Sequence, residues 1–240
     1  MNILAVGAHP DDVEANCGGT LAKYAAQGAR IVIATATSGN IGSAHHSMEE
    51  IARIRKSESA AAAGMIGAEY ICLDYDDEMF FEDRKTRLRF IDLVRYARAD
   101  VILTHNTIDY NPDHVLTGKI ISDIPVMIPI AHLKTPNPPH DTIPAVYYFD
   151  TAAGVDFQPT EYVDITDVFD LKMRMLRCHQ SQIRWMADNY KDVDRTYAGD
   201  YFESYEVMSR FRGIQAGVRY AEGFRRLQAG FMMSSERHLP

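Results

Sequence analysis

The feature that most constrains the fold is an alternation of strand-like and helix-like segments through the first half of the chain. The strand-like runs are apolar and rich in β-branched residues, and a segment with helical periodicity follows each of them. Alternation of this kind predicts a mostly parallel sheet flanked by helices on both faces. We predict strands at residues 2–8, 30–37, 70–75 and 100–106, and helices at 18–29, 47–68, 83–99 and 113–124.

The second half is less regular, but it carries no linker or repeat that would mark a second domain. The predicted elements are a proline-rich loop at 133–144, strands at 145–150 and 161–166, and one long helix at 167–190. We therefore expect a single domain over 1–240. Its core would cover about 1–166, and residues from about 167 to 240 would form an irregular, helical C-terminal extension.

Composition argues against two classes of partner. The chain of 240 residues has 33 acidic and 25 basic side chains, and a net charge of −8 does not suit nucleic acid. No apolar run approaches the roughly 20 residues that span a bilayer, so we expect no membrane insertion. The N-terminus has no charged signal-peptide region, and the three cysteines are scattered and odd in number. These features favour a cytoplasmic protein.

Two polar loops at the ends of predicted strands carry the residues that could do chemistry. AHPDD (8–12) follows the first strand, and THNTIDYNPDH (104–114) ends the fourth. In α/β sheets, ligands bind beyond the carboxyl ends of the strands, so both loops should open onto one crevice. His114 would lie in the first turn of a helix that Asn111 caps.

Two histidines and one aspartate with an open position form the donor set of a catalytic zinc ion. Non-haem Fe(II) uses the same donors. A cation held by His9, Asp12 and His114 would offset the repulsion among the clustered carboxylates and lower the pKa of a bound water to about 7. Asp11, beside a ligand, would then be placed to accept a proton from that water.

Each of these residues also has a structural interpretation. HPDD can be a turn in which Asp11 or Asp12 caps a helix. Asn111 can be a cap and nothing more, and a lone histidine such as His114 is more often structural than metal-binding. The occurrence of both loops after parallel strands favours the metal site over these alternatives.

The stretch AHPDDVEANCGGTLAKYAAQG resembles the opening motif of the zinc-dependent LmbE-like, or PIG-L, N-acetylglucosamine deacetylases. THNTIDYNPDH resembles their second motif, and RKSESAAAAGMIGAE (55–69), CHQSQ (178–182) and YAEGFR (220–225) are weaker matches. The resemblance reaches from residue 3 to about 225. It implies a Rossmann-like α/β fold and a zinc-dependent hydrolase that removes an acetyl group from an N-acetylglucosamine-type conjugate.

The resemblance also implies a role for each matching residue. His9, Asp12 and His114 would bind Zn²⁺, with Fe²⁺ as the other candidate metal. Asp11 would be the general base and proton shuttle. Asp113 would orient a ligand histidine, as carboxylates beside metal ligands commonly do.

One position departs from the family pattern. The family has His-Pro-Asp-His in the second motif, and its first histidine is thought to stabilise the oxyanion or donate a proton, but this chain has Asn111 there. Asparagine can donate a hydrogen bond to an oxyanion but cannot carry a proton. Either Asn111 replaces the histidine in part, or His105 or His179 does its work, or the chain is a metal-binding member with reduced or altered amidase activity. Structural roles for His105 and His179 are equally compatible with the sequence.

Substrate binding is expected around the same crevice. Arg55 matches a family arginine thought to contact substrate, and Asp77, after the third strand, could accept sugar hydroxyls. Tyr110 could shape the pocket, and His105 and His179 are candidates for the same role. The bulky C-terminal segment would fit a homo-oligomer, as in several bacterial relatives.

Two other enzyme classes share features with this sequence. A nucleotide-binding oxidoreductase would need a glycine-rich phosphate cradle, and GAHPDDVEANCGG lacks G-x-G-x-x-G. An Fe(II) enzyme could use the same donors for oxygen chemistry, and metal analysis with oxygen dependence would separate it. Cys17, next to the motif, is not needed as a nucleophile because a metal-bound water can attack directly.

Overall fold

The computed structural model describes residues 1–190, 201–229 and 236–240, and within these residues it contains seven strands and seven α-helices. The strands are β1 (Asn2–Gly7), β2 (Arg30–Thr37), β3 (Glu69–Tyr75), β4 (Val101–Thr104), β5 (Ala145–Phe149), β6 (Glu161–Asp164) and β7 (Ala221–Arg226). The helices are α1 (Asp12–Ala26), α2 (Met48–Gly64), α3 (Arg84–Ala97), α4 (Pro112–Asp123), α5 (Phe169–Leu176), α6 (Gln180–Tyr190) and α7 (Tyr201–Ala216).

The strands form one sheet in the order β3-β2-β1-β4-β5-β7-β6. Strands β1 to β5 pair in parallel, whereas β7 is antiparallel to both of its neighbours. The predicted α/β fold with a mostly parallel sheet is therefore confirmed. Because Val6 pairs with Thr104, the loops that follow β1 and β4 leave the same edge of the sheet side by side.

The sheet separates two apolar layers, and helices cover each of them. One layer packs α1 and α5 against the sheet through residues such as Leu21 and Met173. The other packs α3 and α4 through residues such as Phe90 and Ile121. Burial on both faces explains why the central strands read as continuous apolar runs.

Helix α1 begins at Asp12, six residues before the predicted start at 18. Gly19 therefore lies inside the helix, and it packs so closely on a neighbouring segment that a Cβ there would lie 2.7 Å from Ile165 Cγ2. Asp12 and Glu14 instead occupy the first turn, where the helix dipole favours carboxylates. The acidic motif is therefore part of a helix N-terminus rather than a free loop.

The region beyond residue 166 differs from the sequence prediction in two ways. The long helix predicted at 167–190 is two helices, α5 and α6, and His179 lies in the break between them. Residues 221–226 form β7, which inserts between β5 and β6, so this region adds a strand to the sheet as well as helices. The sequence AEGFRR has little apolar alternation, and the strand is paired on both sides, with β5 and β6.

Candidate metal centre and active site

The loops after β1 and β4 meet in one cleft at the carboxyl edge of the sheet. The cleft has a volume of about 980 Å³ and is lined by both loops, by the segment after β5 and by residues of α6 and α7. The two polar loops therefore open onto a shared crevice, where α/β folds generally bind ligands.

His9, Asp12 and His114 each present a donor atom in this cleft, and the three atoms lie within 4.8 Å of one another. The distance from His9 Nδ1 to Asp12 Oδ2 is 3.5 Å, and that from His114 Nε2 to Asp12 Oδ1 is 3.4 Å. Two ligand atoms about 2.0–2.1 Å from a tetrahedral zinc ion are themselves separated by roughly 3.3 Å. The donors therefore have the spacing and the chemistry of a divalent-metal site.

A carboxylate holds the remaining nitrogen of each histidine ring. His9 Nε2 lies 3.1 Å from Asp113 Oδ2, and His114 Nδ1 lies 3.1 Å from Asp109 Oδ1. Each ring therefore turns its other nitrogen toward Asp12. This carboxylate–histidine arrangement is the usual support of metal-binding imidazoles.

The carboxylates around His9 and His114 favour the protonated, positively charged form of both rings. Burial lowers the pKa of His9, but Asp113 and Asp12 outweigh it and raise that pKa to about 10. Burial also lowers the pKa of His114, but Asp12 and Asp109 have the larger effect and raise that pKa to about 9. Burial raises the pKa of Asp12, yet His114 and His105 hold it well below its ordinary value. A divalent cation among these carboxylates would replace the protons that the rings otherwise attract.

Asp11 lies immediately before α1 in a left-handed backbone conformation, with φ of 104°. This conformation turns its side chain away from the helix N–H groups, so Asp11 makes no side-chain cap. Its Oδ2 accepts a hydrogen bond from Tyr201 Oη at 2.6 Å, and its Oδ1 lies 3.9 Å from Arg55 Nη2. Burial raises the pKa of Asp11, and Arg55 opposes that rise. A buried carboxylate with a raised pKa is suited to general-base work.

Asn111 caps α4, as the sequence indicated. Its Oδ1 accepts hydrogen bonds from the backbone N–H groups of Asp113 at 2.8 Å and His114 at 3.2 Å. Its Nδ2 donates to Glu78 Oε1 at 2.9 Å. Because Nδ2 carries two hydrogens, one donor remains beyond the contact with Glu78.

The two further histidines of the sequence analysis are buried in the protein. His105 is 1% exposed and stacks on His114 at a ring-centroid distance of 4.0 Å. Its Nε2 lies 2.9 Å from the Ala8 nitrogen and 3.0 Å from Asp12 Oδ2. Burial lowers the pKa of His105 to about 4. His179 is fully buried, and its Nε2 lies 3.3 Å from Glu14 Oε2. These contacts favour the structural interpretation of both rings over a substrate contact.

Arg55 and Asp77 line the cleft but are held by the protein itself. Arg55 is 4% exposed and donates from Nη2 to the Pro10 carbonyl oxygen at 2.8 Å, which supports the AHPDD turn. Asp77 Oδ1 accepts a hydrogen bond from the Gly39 N–H at 2.8 Å. Tyr110, in contrast, is 77% exposed at the rim, and its ring meets His114 edge-on with centroids 5.7 Å apart.

Three contributors to the site were not found from the sequence. Asp109 supports His114, Glu78 contacts Asn111 and donates its backbone N–H to Asp113, and Tyr201 contacts Asp11. Asp109 lies in the second motif, so its spacing of five residues from His114 was a usable signal. Tyr201 is 190 residues from Asp11, and no local pattern could have joined them.

Fold and site together define an α/β protein with a candidate divalent-metal centre at the strand ends. The model of the family PIG-L, GlcNAc-PI de-N-acetylase, matches residues 4–124, and the chain belongs to this family. The match includes most of β1, all of β4 and both polar motifs.

Individual relatives extend the similarity over most of the chain. The chain is 26% identical to a diacetylchitobiose deacetylase of Thermococcus kodakarensis, with 93% of this chain and 82% of the relative covered. It is 27% identical to a 4-oxalmesaconate hydratase of Pseudomonas putida, with 75% and 73% covered. The solved structure of the N,N'-diacetylchitobiose deacetylase of Pyrococcus horikoshii superposes with a TM-score of 0.80 at 24% identity, covering 94% of this chain and 83% of that one.

Across the described ranges, no helix has both the length and the apolar character needed to cross a bilayer.

Proposed function

We propose that this protein is a metal-dependent deacetylase that hydrolyses the acetamide of an N-acetylglucosamine-type conjugate. The observation that carries the proposal is the cluster of His9, Asp12 and His114 with the carboxylate of Asp11 beside it. The family and the deacetylases among its relatives support the same reaction. Zn²⁺ is the proposed metal, and Fe²⁺ suits the same donors.

The metal would be held by the two imidazoles and Asp12, and when bound it supplies a Lewis acid for the acetyl carbonyl and a water of lowered pKa. Asp113 and Asp109 keep the imidazoles oriented toward the metal position. Asp11 accepts the proton of the attacking water and then delivers it to the leaving amine. The second Nδ2 hydrogen of Asn111 is available to the oxyanion.

Arg55 would act on the reaction through the turn that it supports, because its guanidinium binds the Pro10 carbonyl next to Asp11. Asp77 and Tyr110 are the proposed contacts for the sugar, with Tyr110 offering an exposed aromatic face at the rim. An aromatic side chain at that position suits the apolar face of a pyranose ring.

The charge of the cleft favours a neutral or cationic conjugate. Among the described residues that line it, Arg55 is the only lysine or arginine. The carboxylates of the lining are Asp11, Asp12, Asp77, Glu78, Asp109, Asp150 and Asp156. Asp150 is paired with Arg212, but the other six carboxylates still outweigh Arg55 and one divalent metal, so the lining would repel an anionic substrate.

The same charge argument bears on a second candidate function. One relative is named a 4-oxalmesaconate hydratase, and such a substrate is an anionic carboxylate. Hydration of an unsaturated carboxylate would need cationic groups to bind it, and besides the proposed metal the described lining offers only the buried Arg55. Deacetylation of an uncharged sugar is therefore the function we favour.

The test is acetate release by the Zn²⁺-loaded protein from neutral N-acetylglucosamine disaccharides and from anionic N-acetylglucosamine conjugates. Asp11→Asn is measured in parallel, with Asp83→Asn as a matched control because Asp83 is an exposed N-cap of α3 and asparagine caps equally well. Acetate release by the wild type and the control, but not by Asp11→Asn, is the expected result.

Three outcomes would contradict the proposal. A stoichiometrically loaded protein that releases no acetate, but hydrates an unsaturated carboxylate, would assign the chain to the hydratase activity. Activity that requires oxygen and Fe²⁺ would assign it to oxygen chemistry. Loss of acetate release with metal still bound and no other activity would support a metal-binding member whose amidase activity the Asn111 replacement has reduced.

A further inference from the structure

We infer that Tyr201 is a positioning residue for the general base, because it holds one oxygen of the Asp11 carboxylate and thereby fixes which oxygen is free for proton transfer. The inference rests on the proposed hydrolase function. Tyr201 lies at the start of α7 and lines the cleft. Its hydroxyl donates to Asp11 Oδ2 at 2.6 Å.

Asp11 needs such a partner because its backbone leaves the side chain without a local one. It precedes α1 with φ of 104° and makes no side-chain hydrogen bond to the helix N-terminus. The nearest guanidinium nitrogen, Arg55 Nη2, is 3.9 Å from Oδ1, which is beyond hydrogen-bonding distance. The hydroxyl of Tyr201 donates a hydrogen bond to this carboxylate.

The far end of α7 is anchored to the wall of the same cleft. Arg212 forms a two-point contact with Asp150, from Nε to Oδ2 at 2.5 Å and from Nη2 to Oδ1 at 2.9 Å. This pair is largely buried, and Asp150 follows β5 at the carboxyl edge of the sheet. A bidentate arginine–carboxylate contact fixes direction as well as distance. Helix α7 is therefore set against the same sheet edge that carries Asp11.

The tyrosine ring is also restrained at its own end of the helix. It meets Phe202 edge-on at a centroid distance of 5.7 Å and Tyr205 at 5.2 Å. Edge-to-face contacts of this kind orient an aromatic ring. The phenol is thus directed at Asp11 by packing and by the anchored helix together.

The chemical consequence concerns the two oxygens of Asp11. With Oδ2 engaged by the tyrosine, Oδ1 is the oxygen left to accept the proton of the attacking water and to return it to the amine. Without the hydroxyl the carboxylate can rotate, and misplacement of a catalytic group lowers the rate more than it lowers binding. Tyr201 acts on the reaction through Asp11.

The first arm of the test is steady-state kinetics of Tyr201→Phe with the Zn²⁺-loaded protein. We expect kcat to fall by between about 10-fold and 100-fold, while KM and bound zinc stay near their wild-type values. Tyr24→Phe is the matched control, since it also removes a tyrosine hydroxyl that donates a hydrogen bond, from Tyr24 Oη to the His238 carbonyl at 2.8 Å, outside the cleft. An unchanged kcat, or a rise in KM at constant kcat, would overturn the inference.

The second arm needs no activity and uses the metal-free protein. The midpoint of denaturant unfolding is compared for Tyr201→Phe, Asp11→Gly and the double variant, glycine being chosen because it tolerates the positive φ. If the hydroxyl binds Asp11, Tyr201→Phe lowers the midpoint in the wild-type background and by clearly less in the Asp11→Gly background. Equal shifts in both backgrounds would show that the two residues are not coupled.

The two arms separate the inference from the function on which it rests. A wild-type protein that releases no acetate would overturn the proposed deacetylase, and the unfolding cycle would still decide whether Tyr201 holds Asp11. If the wild type releases acetate but the unfolding shifts of Tyr201→Phe and Asp11→Gly are additive, the proposed deacetylase function stands and the role of Tyr201 is rejected.

Discussion

The Nδ1 of His114 lies 3.1 Å from Oδ1 of Asp109, a residue five positions earlier in the same loop. The side chain of Asp109 is buried, although neighbouring loop residues such as Ile108 and Tyr110 are exposed. The contact fixes the ring so that Nε2 faces Asp12, 3.4 Å away. Asp109 therefore determines which nitrogen of His114 is offered to a metal.

We predict that Asp109→Asn weakens metal binding by about 10-fold to 100-fold, as loss of a carboxylate behind a metal-binding histidine commonly does. The side chain keeps its shape, so the fold should remain intact. Competition with a chromogenic chelator measures the change in affinity. Asp164→Asn serves as the control because Asp164 is exposed on β6. Equal zinc affinity of both variants and the wild type would mean that the charge of Asp109 does not support the His114 ligand.

How much of the fold and of the candidate site could be predicted from the sequence depends on how far apart in the chain the interacting residues are. The parallel sheet follows from the alternation of apolar strands and amphipathic helices, which is local information. His9, Asp12 and His114 were found because each lies within a short motif at a strand end. Their convergence follows from the neighbouring positions of β1 and β4 in the sheet.

The features that were missed depend on long-range contacts. Strand β7 is defined by partners on both sides, and its own sequence has no alternating pattern. Tyr201 reaches Asp11 across 190 residues. The start of α1 was predicted too late, at residue 18. Gly19 lies inside the helix, where the close approach of Ile165 leaves no room for a side chain. In each case the tertiary structure overrides the local signal.

A second prediction concerns Gly39, which packs directly on Arg55. Gly39 has φ of +72°, and a Cβ there would lie 2.5 Å from Arg55 Cδ. Gly39→Ala should therefore displace the guanidinium from the Pro10 carbonyl and disturb the turn that carries Asp11. We expect a lower kcat/KM for acetate release together with a loss of stability of about 1–2 kcal/mol from the left-handed backbone.

Gly28→Ala provides the matched control for this experiment. Gly28 has a similar φ of +80°, but nothing lies within 4 Å of the position of its Cβ. It should lose a similar amount of stability, about 1–2 kcal/mol, and keep its activity. Thermal unfolding and initial rates on both variants separate backbone strain from the contact with Arg55. If both variants kept full activity, Arg55 would have no part in placing the turn.

A third prediction concerns the buried ion pair between Lys172 and Glu222. Lys172 Nζ lies 2.7 Å from Glu222 Oε1, and both side chains are at most 3% exposed. Glu222 also accepts hydrogen bonds from the backbone N–H groups of Gly19 and Thr20, so it ties α1 to β7. Lys172→Met would leave this carboxylate buried without its cation, at a cost of about 3–5 kcal/mol.

Denaturant unfolding at neutral pH measures this loss. Lys119→Met is the comparison, because Lys119 pairs with Asp123 one helical turn away in an exposed position. That variant should change the free energy of unfolding by about 0.5 kcal/mol or less. Similar small losses for both variants would indicate that Glu222 is satisfied by the backbone N–H groups and by the Thr20 hydroxyl, which also donates to it.

The last prediction separates the two uses of Asn111, which are to cap α4 with its oxygen and to donate from its amide. Serine retains a capping oxygen but lacks the amide, whereas alanine lacks both. Asn111→Ala should therefore lose about 1 kcal/mol of stability, and Asn111→Ser should lose little. If the amide donates to the oxyanion, both variants should also lose kcat, by about 100-fold. If Asn111→Ser kept the kcat of the wild type, the residue would serve as a helix cap alone, and the donor that replaces the family histidine would lie elsewhere in the cleft.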